Sequence, residues 1–75
     1  MKLSELIEQL EDIRDSNSSI DPEVRIATQP SWPMESEVST VLGPDPYDDE
    51  KIVHIAASGT TNYLSGSAAR ALGWQ

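Results

Sequence analysis

The first segment of the chain carries apolar residues at helical spacing. Five of them recur three or four positions apart and, at 100° per residue, share an arc of about 120°. They are Leu3, Leu6, Ile7, Leu10 and Ile13. The pattern predicts an amphipathic helix over residues 4–16, with Ser4 as its N-cap. The polar run at 15–19 should end the helix, because these side chains compete for backbone hydrogen bonds.

Three later segments have the composition of strands. Residues 24–27, 36–42 and 51–57 are rich in β-branched and apolar residues and are bounded by turn-forming stretches. The segment 51–57 is apolar on both of its faces, so we expect it at the centre of the sheet. Residues 29–33 contain two prolines and are predicted to form a loop, because proline removes a backbone donor and fixes φ.

The end of the chain predicts a turn and a short helix. Residues 58–62 have the polar, Gly-containing composition of a turn. Either Ser65 or Ser67 can cap a helix that runs to Leu72. Gly73 is placed to end that helix in the left-handed conformation.

In chain order these elements predict a single α+β domain over residues 1–75. We expect an N-terminal amphipathic helix packed on a small, mainly antiparallel sheet of three to four strands, followed by a short C-terminal helix. The second helix is too short and too small-sided to cover a face of the sheet. A homodimer is therefore expected, since a second copy would cover what the chain itself leaves open.

The composition excludes several function classes. A chain of 75 residues and 8.2 kDa buries only about 60% of its unfolded surface, which leaves no room for a large enzyme pocket or a cofactor fold. Without cysteine the chain has no disulfide and no thiolate metal site. The small size also means that no cofactor is expected. No apolar run approaches the ~18 residues of a membrane span, and the start lacks a signal-peptide core, so a cytoplasmic location is expected.

The charge is strongly acidic and unevenly distributed. The chain has thirteen acidic and five basic residues, for a net charge of −8. Residues 1–23 alone carry seven acids and two bases. Such a field repels nucleic acid and anionic membranes and attracts basic surfaces. We therefore expect no direct nucleic-acid partner and no membrane partner. The expected partner is a basic protein surface.

Four acids of the predicted helix lie roughly opposite its apolar arc. These residues, which we call the acidic face, are Glu5, Glu8, Asp12 and Asp15. Like charges at these spacings repel, and Asp12 and Asp15 also oppose the helix macrodipole near the C-terminal end. Helix stability therefore does not explain them. The acidic face is interpreted as a binding surface for a basic partner; the alternative is a solvated surface that keeps a small protein soluble.

The two tryptophans have different surroundings. Trp32 lies in the proline-stiffened loop, where an exposed aromatic ring makes a good partner-binding anchor because little entropy is lost on binding. The alternative is that Trp32 folds back and closes the core. Trp74 follows a glycine and is predicted to pack back on Ala68 and Ala69 in a Schellman-type cap.

Few residues could support catalysis or small-molecule binding. His54 is the one histidine and has no second histidine or cysteine to complete a triad, so a non-enzymatic protein is expected. A nucleotide or signalling molecule held at a subunit interface is the alternative function. Its ligand-binding residues would be Ser58, Gly59, Thr60, Thr61, Asn62 and Arg70.

A metal-assisted hydrolase is a third and weaker hypothesis. It would use an acidic loop formed by Asp45, Asp48, Asp49 and Glu50. Their spacing is not that of an EF-hand, which needs acids at alternate positions and a central glycine. A solvated turn is the preferred interpretation, and no metal site is predicted.

Two short motifs carry a family resemblance. The loop Gln29-Pro30-Ser31-Trp32-Pro33 and the terminal Ala71-Leu72-Gly73-Trp74 resemble those of small, uncharacterised accessory proteins found in bacterial and phage genomes. No catalytic or binding residues are assigned in that group. The resemblance implies a phage or mobile-element protein that inhibits a host defence protein by blocking its basic, nucleic-acid-binding surface.

Overall fold

The protein has an α+β fold with three strands between two helices. The computed structural model describes residues 1–74, apart from the side chain of Thr60. The elements are α1 (Leu3–Ser16), β1 (Arg25–Thr28), β2 (Met34–Leu42), β3 (His54–Tyr63) and α2 (Gly66–Ala71). The predicted fold class and element order are confirmed.

Helix α1 begins slightly earlier than the sequence predicts. Its N-cap is Lys2 rather than Ser4, because a Glu5 carboxylate oxygen accepts a bond from the Lys2 backbone N–H at 3.4 Å. The polar run ends the helix as predicted. The Asn17 side-chain amide donates to the Ile13 carbonyl at 2.7 Å and satisfies one carbonyl of the last turn.

The strands form an antiparallel sheet in the order β1-β2-β3. Arg25 pairs with Glu37 at one end of the β1–β2 ladder, and Leu42 pairs with His54 at one end of the β2–β3 ladder. The prediction that 51–57 lies at the centre is wrong, since β2 is the central strand and β3 is an edge. With successive antiparallel pairing, the middle strand in sequence is also the middle strand in space.

Residues 58–62 do not form the predicted turn but lie within β3. The chain is irregular there. Ser36 pairs with Thr61 and Val38 pairs with Ala57, so three residues of β3 face the single residue Glu37 of β2. Such a bulge bends and twists a strand without ending it. The Gly-containing segment therefore marks a bulge, because pairing with the first residues of β2 keeps the chain extended.

Helix α2 has both of the predicted caps. Ser65 Oγ accepts a bond from the backbone N–H three residues later at 3.2 Å. Gly73 has φ +75°, and its N–H donates to the Arg70 carbonyl at 3.1 Å. The Trp74 N–H donates to the Ala69 carbonyl at 2.8 Å. These two bonds are the Schellman pattern, which confirms Gly73 as the left-handed end of the helix.

The core of the described chain is small. Among the described side chains, Ala69 and Ser36 are the buried ones, at 3% and 6% exposure. Helix α1 buries no residue, and its Leu3, Ile7, Leu10 and Ile13 are 45–54% exposed. The first turn of α1 approaches the sheet at a hollow that Leu3 and Leu6 line together with Ile52, Val53 and Ile55. The helix thus adjoins the sheet at its N-terminal end, while its apolar side stays largely uncovered.

Candidate functional site

The acidic face is open to solvent along the whole of α1. All four of its residues are exposed. Within residues 1–74, the ion pairs join Arg25 to Glu23 at 3.2 Å and to Glu35 at 2.8 Å, and neither acid belongs to the acidic face. The carboxylates of the acidic face therefore have no cation of their own chain within 4 Å in the part of the structure described.

Two of the five bases are engaged elsewhere in the fold. The hydrogen bond to Glu35, assisted by the nearby charge of Glu23, raises the pKa of the Arg25 guanidinium above its usual value. The Lys51 ammonium donates to the Asp48 carbonyl at 2.6 Å and to the Asp45 carbonyl at 3.3 Å. These bonds hold both cations in place on the sheet and in the loop, so they do not neutralise the acidic face.

Two carboxylates of the acidic loop accept hydrogen bonds from the backbone of the loop itself. An Asp45 carboxylate oxygen accepts from the Tyr47 N–H at 2.9 Å, and an Asp48 carboxylate oxygen accepts from the Glu50 N–H at 3.1 Å. Both are Asx turns, in which the side chain takes the place of a backbone acceptor. Among the described residues, no three His, Cys, Asp or Glu side chains come together as a set able to hold a metal ion.

Trp32 projects from the loop between β1 and β2 with 68% of its surface exposed. The alternative in which it folds back into the core is therefore wrong. The loop is held at its base, where the Pro33 carbonyl accepts a bond from the Leu64 N–H at 3.0 Å just beyond the end of β3. An exposed indole on a restrained loop is what a partner-binding anchor requires.

Trp32 and the first turn of α1 lie at opposite ends of the sheet. The loop of Trp32 adjoins the end of β3, whereas Leu3 and Leu6 adjoin its start. Ten residues of strand at about 3.3 Å each separate these two ends by roughly 30 Å. The structure therefore presents the indole and the start of the acidic face as two features, not as one pocket.

Trp74 differs from Trp32 in being half-buried. It follows the cap of α2, and its carbonyl accepts a bond from the Gln29 side-chain amide at 3.4 Å. This contact joins the end of α2 to the segment after β1. The bond from the Trp74 N–H to the Ala69 carbonyl confirms the predicted cap, and the packing of its ring on Ala68 and Ala69 stays a prediction.

The residues of the alternative ligand site are spread over two elements. Ser58, Gly59, Thr61 and Asn62 lie in β3, and the side chain of Thr60 lies outside the described part of the structure. Arg70 is exposed in the last turn of α2. This segment is part of a strand and not the turn that the ligand-binding hypothesis requires. His54, at the start of β3, is also exposed.

The free edge of β3 is a feature that the sequence interpretation missed. A signal for it exists, since residues 52–69 contain no Asp, Glu, Lys, Arg or Pro in a chain that is 24% charged. Charges and prolines are the usual means by which proteins protect exposed edge strands. The same composition is also typical of a central strand followed by a turn, which is why the sequence alone does not identify this edge.

Comparison with known proteins adds no relative. No protein-family model, curated protein or solved structure matches this chain. Within residues 1–74, neither helix combines the length and the apolar character needed to cross a membrane. Function is therefore inferred from the geometry and charge of the chain itself.

Proposed function

We propose that this protein is a non-enzymatic, acidic binding module that docks on a basic surface of another protein. The observation that carries the proposal is the acidic face, whose four carboxylates are exposed and have no ion-pair partner within the described chain. A net charge of −8 extends the same field around the molecule and would steer a basic partner toward it.

The spacing of the charges indicates the kind of surface that fits. The acidic face spans about 15 Å of helix at a 1.5 Å rise per residue, or roughly one charge per 5 Å. Duplex DNA carries one charge per about 1.7 Å. The helix therefore matches a short basic patch or groove better than it reproduces a long phosphate track. Trp32, held away from the core, would add an apolar anchor at a second point of contact.

The family resemblance gives this module a biological setting. Small accessory proteins of phages and mobile elements would act by occupying a host protein's basic surface. On this proposal the partner is a host defence or nucleic-acid-handling protein, and the acidic face competes with nucleic acid for its groove. The ligand-binding alternative has less support, because the segment that was to form its loop lies in β3.

Removing charge from the acidic face tests the proposal. The variant Glu8→Gln, Asp12→Asn, Asp15→Asn keeps side-chain size and leaves Glu5, which bonds the helix N-cap. The control Glu37→Gln, Asp49→Asn, Glu50→Gln removes the same charge from exposed acids elsewhere. The assay captures proteins from a bacterial lysate on the immobilised chain and quantifies them by mass spectrometry. We expect the amount of captured nucleic-acid-binding protein to fall about tenfold with the first variant and less than about twofold with the control.

Stability measured on the same variants separates binding from folding. Neutralising Asp12 and Asp15 removes like-charge repulsion and an unfavourable interaction with the helix macrodipole, so the first variant should melt no lower than the unmodified protein. Weaker binding by an equally stable protein supports the acidic-face mechanism. Equal losses in both variants, or binding that is unchanged by variant and by salt, would refute it.

A further inference from the structure

The two edges of the sheet are unlike each other. The outer edge at β1 is four residues long, begins with Arg25 and is followed two residues later by Pro30, all of which discourage further pairing. The outer edge at β3 is ten residues long and belongs to the charge-free and proline-free run 52–69. The β1 edge is therefore short and guarded by a charge and a nearby proline, whereas the β3 edge is long and uncharged and is interrupted by the bulge at residues 58–60.

The subunit exposes more surface than a chain of its size should. Its accessible surface is 6343 Å², whereas a folded monomer of 8.2 kDa exposes about 4,500 Å². The excess is about 1,800 Å². Obligate homodimers bury about 2,000–5,000 Å² in total, or about 1,000–2,500 Å² per subunit. The surplus is therefore of the size that a stable dimer removes.

The dimensions of the subunit agree with this comparison. The radius of gyration is 14.5 Å. A compact domain of 75 residues would have about 11 Å, and one of 150 residues about 15 Å. A single copy is thus as extended as a compact domain of twice its length, as expected of a subunit that completes its core with a second copy.

The charge distribution favours a second copy over an unrelated partner at this edge. Two subunits of net charge −8 repel each other unless they meet where neither carries carboxylates. The run 52–69 is the longest uncharged stretch of the chain, and β3 is its extended part. An antiparallel edge is also self-complementary under a two-fold axis, so it needs no second sequence to match it.

We propose that β3 pairs antiparallel with β3 of a second copy, which produces a continuous six-stranded sheet. The two-fold axis of such a pairing stands perpendicular to the sheet, so both copies of α1 come to lie on the same face. Their apolar sides, now 45–54% exposed, would then be covered within the dimer. This inference does not depend on the identity of the binding partner proposed above.

Sedimentation equilibrium and hydrogen exchange test the proposal on the full chain. We expect a mass of about 16 kDa, twice the 8.2 kDa of one chain, at tens of micromolar protein. The amides of β3 should exchange more slowly at high protein concentration than at low, because pairing protects the N–H groups of its outer edge. The amides of β1, whose outer edge stays free, should show a smaller concentration dependence, because association protects them only through the stability of the whole fold.

A matched pair of threonine variants locates the interface. Thr61→Lys places a charge on β3, and Thr40→Lys places the same charge on the central strand; both residues are exposed. Thr61→Lys should raise the dimer dissociation constant at least tenfold, and Thr40→Lys should leave it within about twofold. A monomer at about 100 µM would overturn the proposal. So would a dimer whose β3 exchange is independent of concentration, or equal weakening by both variants.

Discussion

Replacing Gly73 by alanine tests the structure of the second helix at a single backbone position. Gly73 has φ +75°, a left-handed conformation in which a side chain is disfavoured. Apart from Gly73 itself and the two residues next to it in the chain, no heavy atom lies within 4 Å of the Cβ that alanine would add. The substitution therefore meets no steric obstacle from neighbouring residues, and its cost comes from the backbone conformation alone.

Gly43 provides a matched control for this substitution. Alanine there would also meet no atom within 4 Å, and Gly43 does not have a positive φ. Both variants restrict the unfolded chain equally, which by itself stabilises a protein by about 0.4–1 kcal/mol. The difference between them is thus the left-handed penalty, about 1–2 kcal/mol. For a domain of this size each kcal/mol shifts the melting temperature by about 4–8 °C.

Thermal unfolding followed by circular dichroism measures the difference. Gly73→Ala should melt at least about 4 °C below Gly43→Ala. Both variants are compared at one protein concentration, because the melting temperature of an oligomer depends on concentration. Equal melting temperatures, or a higher one for Gly73→Ala, would show that the chain does not end α2 in the left-handed conformation. The Schellman cap and the position of Trp74 would then be wrong.

Two further predictions concern the N-cap of α2 and the acidic loop. Ser65→Ala removes the acceptor for the Ala68 N–H, which lies 3.2 Å away, and should lower the free energy of unfolding by about 1 kcal/mol. The control Ser67→Ala should change it by only about a few tenths of a kcal/mol. Chemical denaturation measures both values, and equal losses would contradict the assigned cap. Millimolar Ca²⁺, followed by EDTA, should leave the melting temperature unchanged, because Asp45 and Asp48 already accept backbone N–H bonds in the loop; a rise of several degrees with Ca²⁺ would show a cation site.

The elements that the sequence predicts well depend on neighbouring residues. The apolar spacing of α1, the Ser65 cap and the Gly73 terminator each act within one or two turns of chain, and the structure confirms all three. The N-cap of α1 is a small exception. There Glu5 reaches back to Lys2, which makes a cap that does not need a serine hydroxyl.

The features that the sequence did not predict depend on distant partners. Whether 58–62 turns or continues as a strand is decided by its pairing with the first residues of β2, more than twenty positions earlier. β3 is an edge strand because no further strand within residues 1–74 pairs with its outer side, which is a property of the whole sheet. The loop of Trp32 is likewise joined to a remote part of the chain, by the bond from the Leu64 N–H to the Pro33 carbonyl.

The segregation of charge along the chain links the proposed binding function to the proposed dimer. Carboxylates are concentrated in residues 1–23 and in the acidic loop, whereas residues 52–69 have none. Pairing through the uncharged run would leave every acid outside the interface, so a dimer would present the acidic face twice without any change in sequence. Four charges on one helix are sparse beside a phosphate backbone. Two copies on the same face of one sheet would offer eight, and binding through both would raise the apparent affinity for a partner with two basic patches well above that of either face alone. On this proposal, the same distribution of residues would account both for the open apolar surface of one copy and for the lack of ion-pair partners at the acidic face in the described chain.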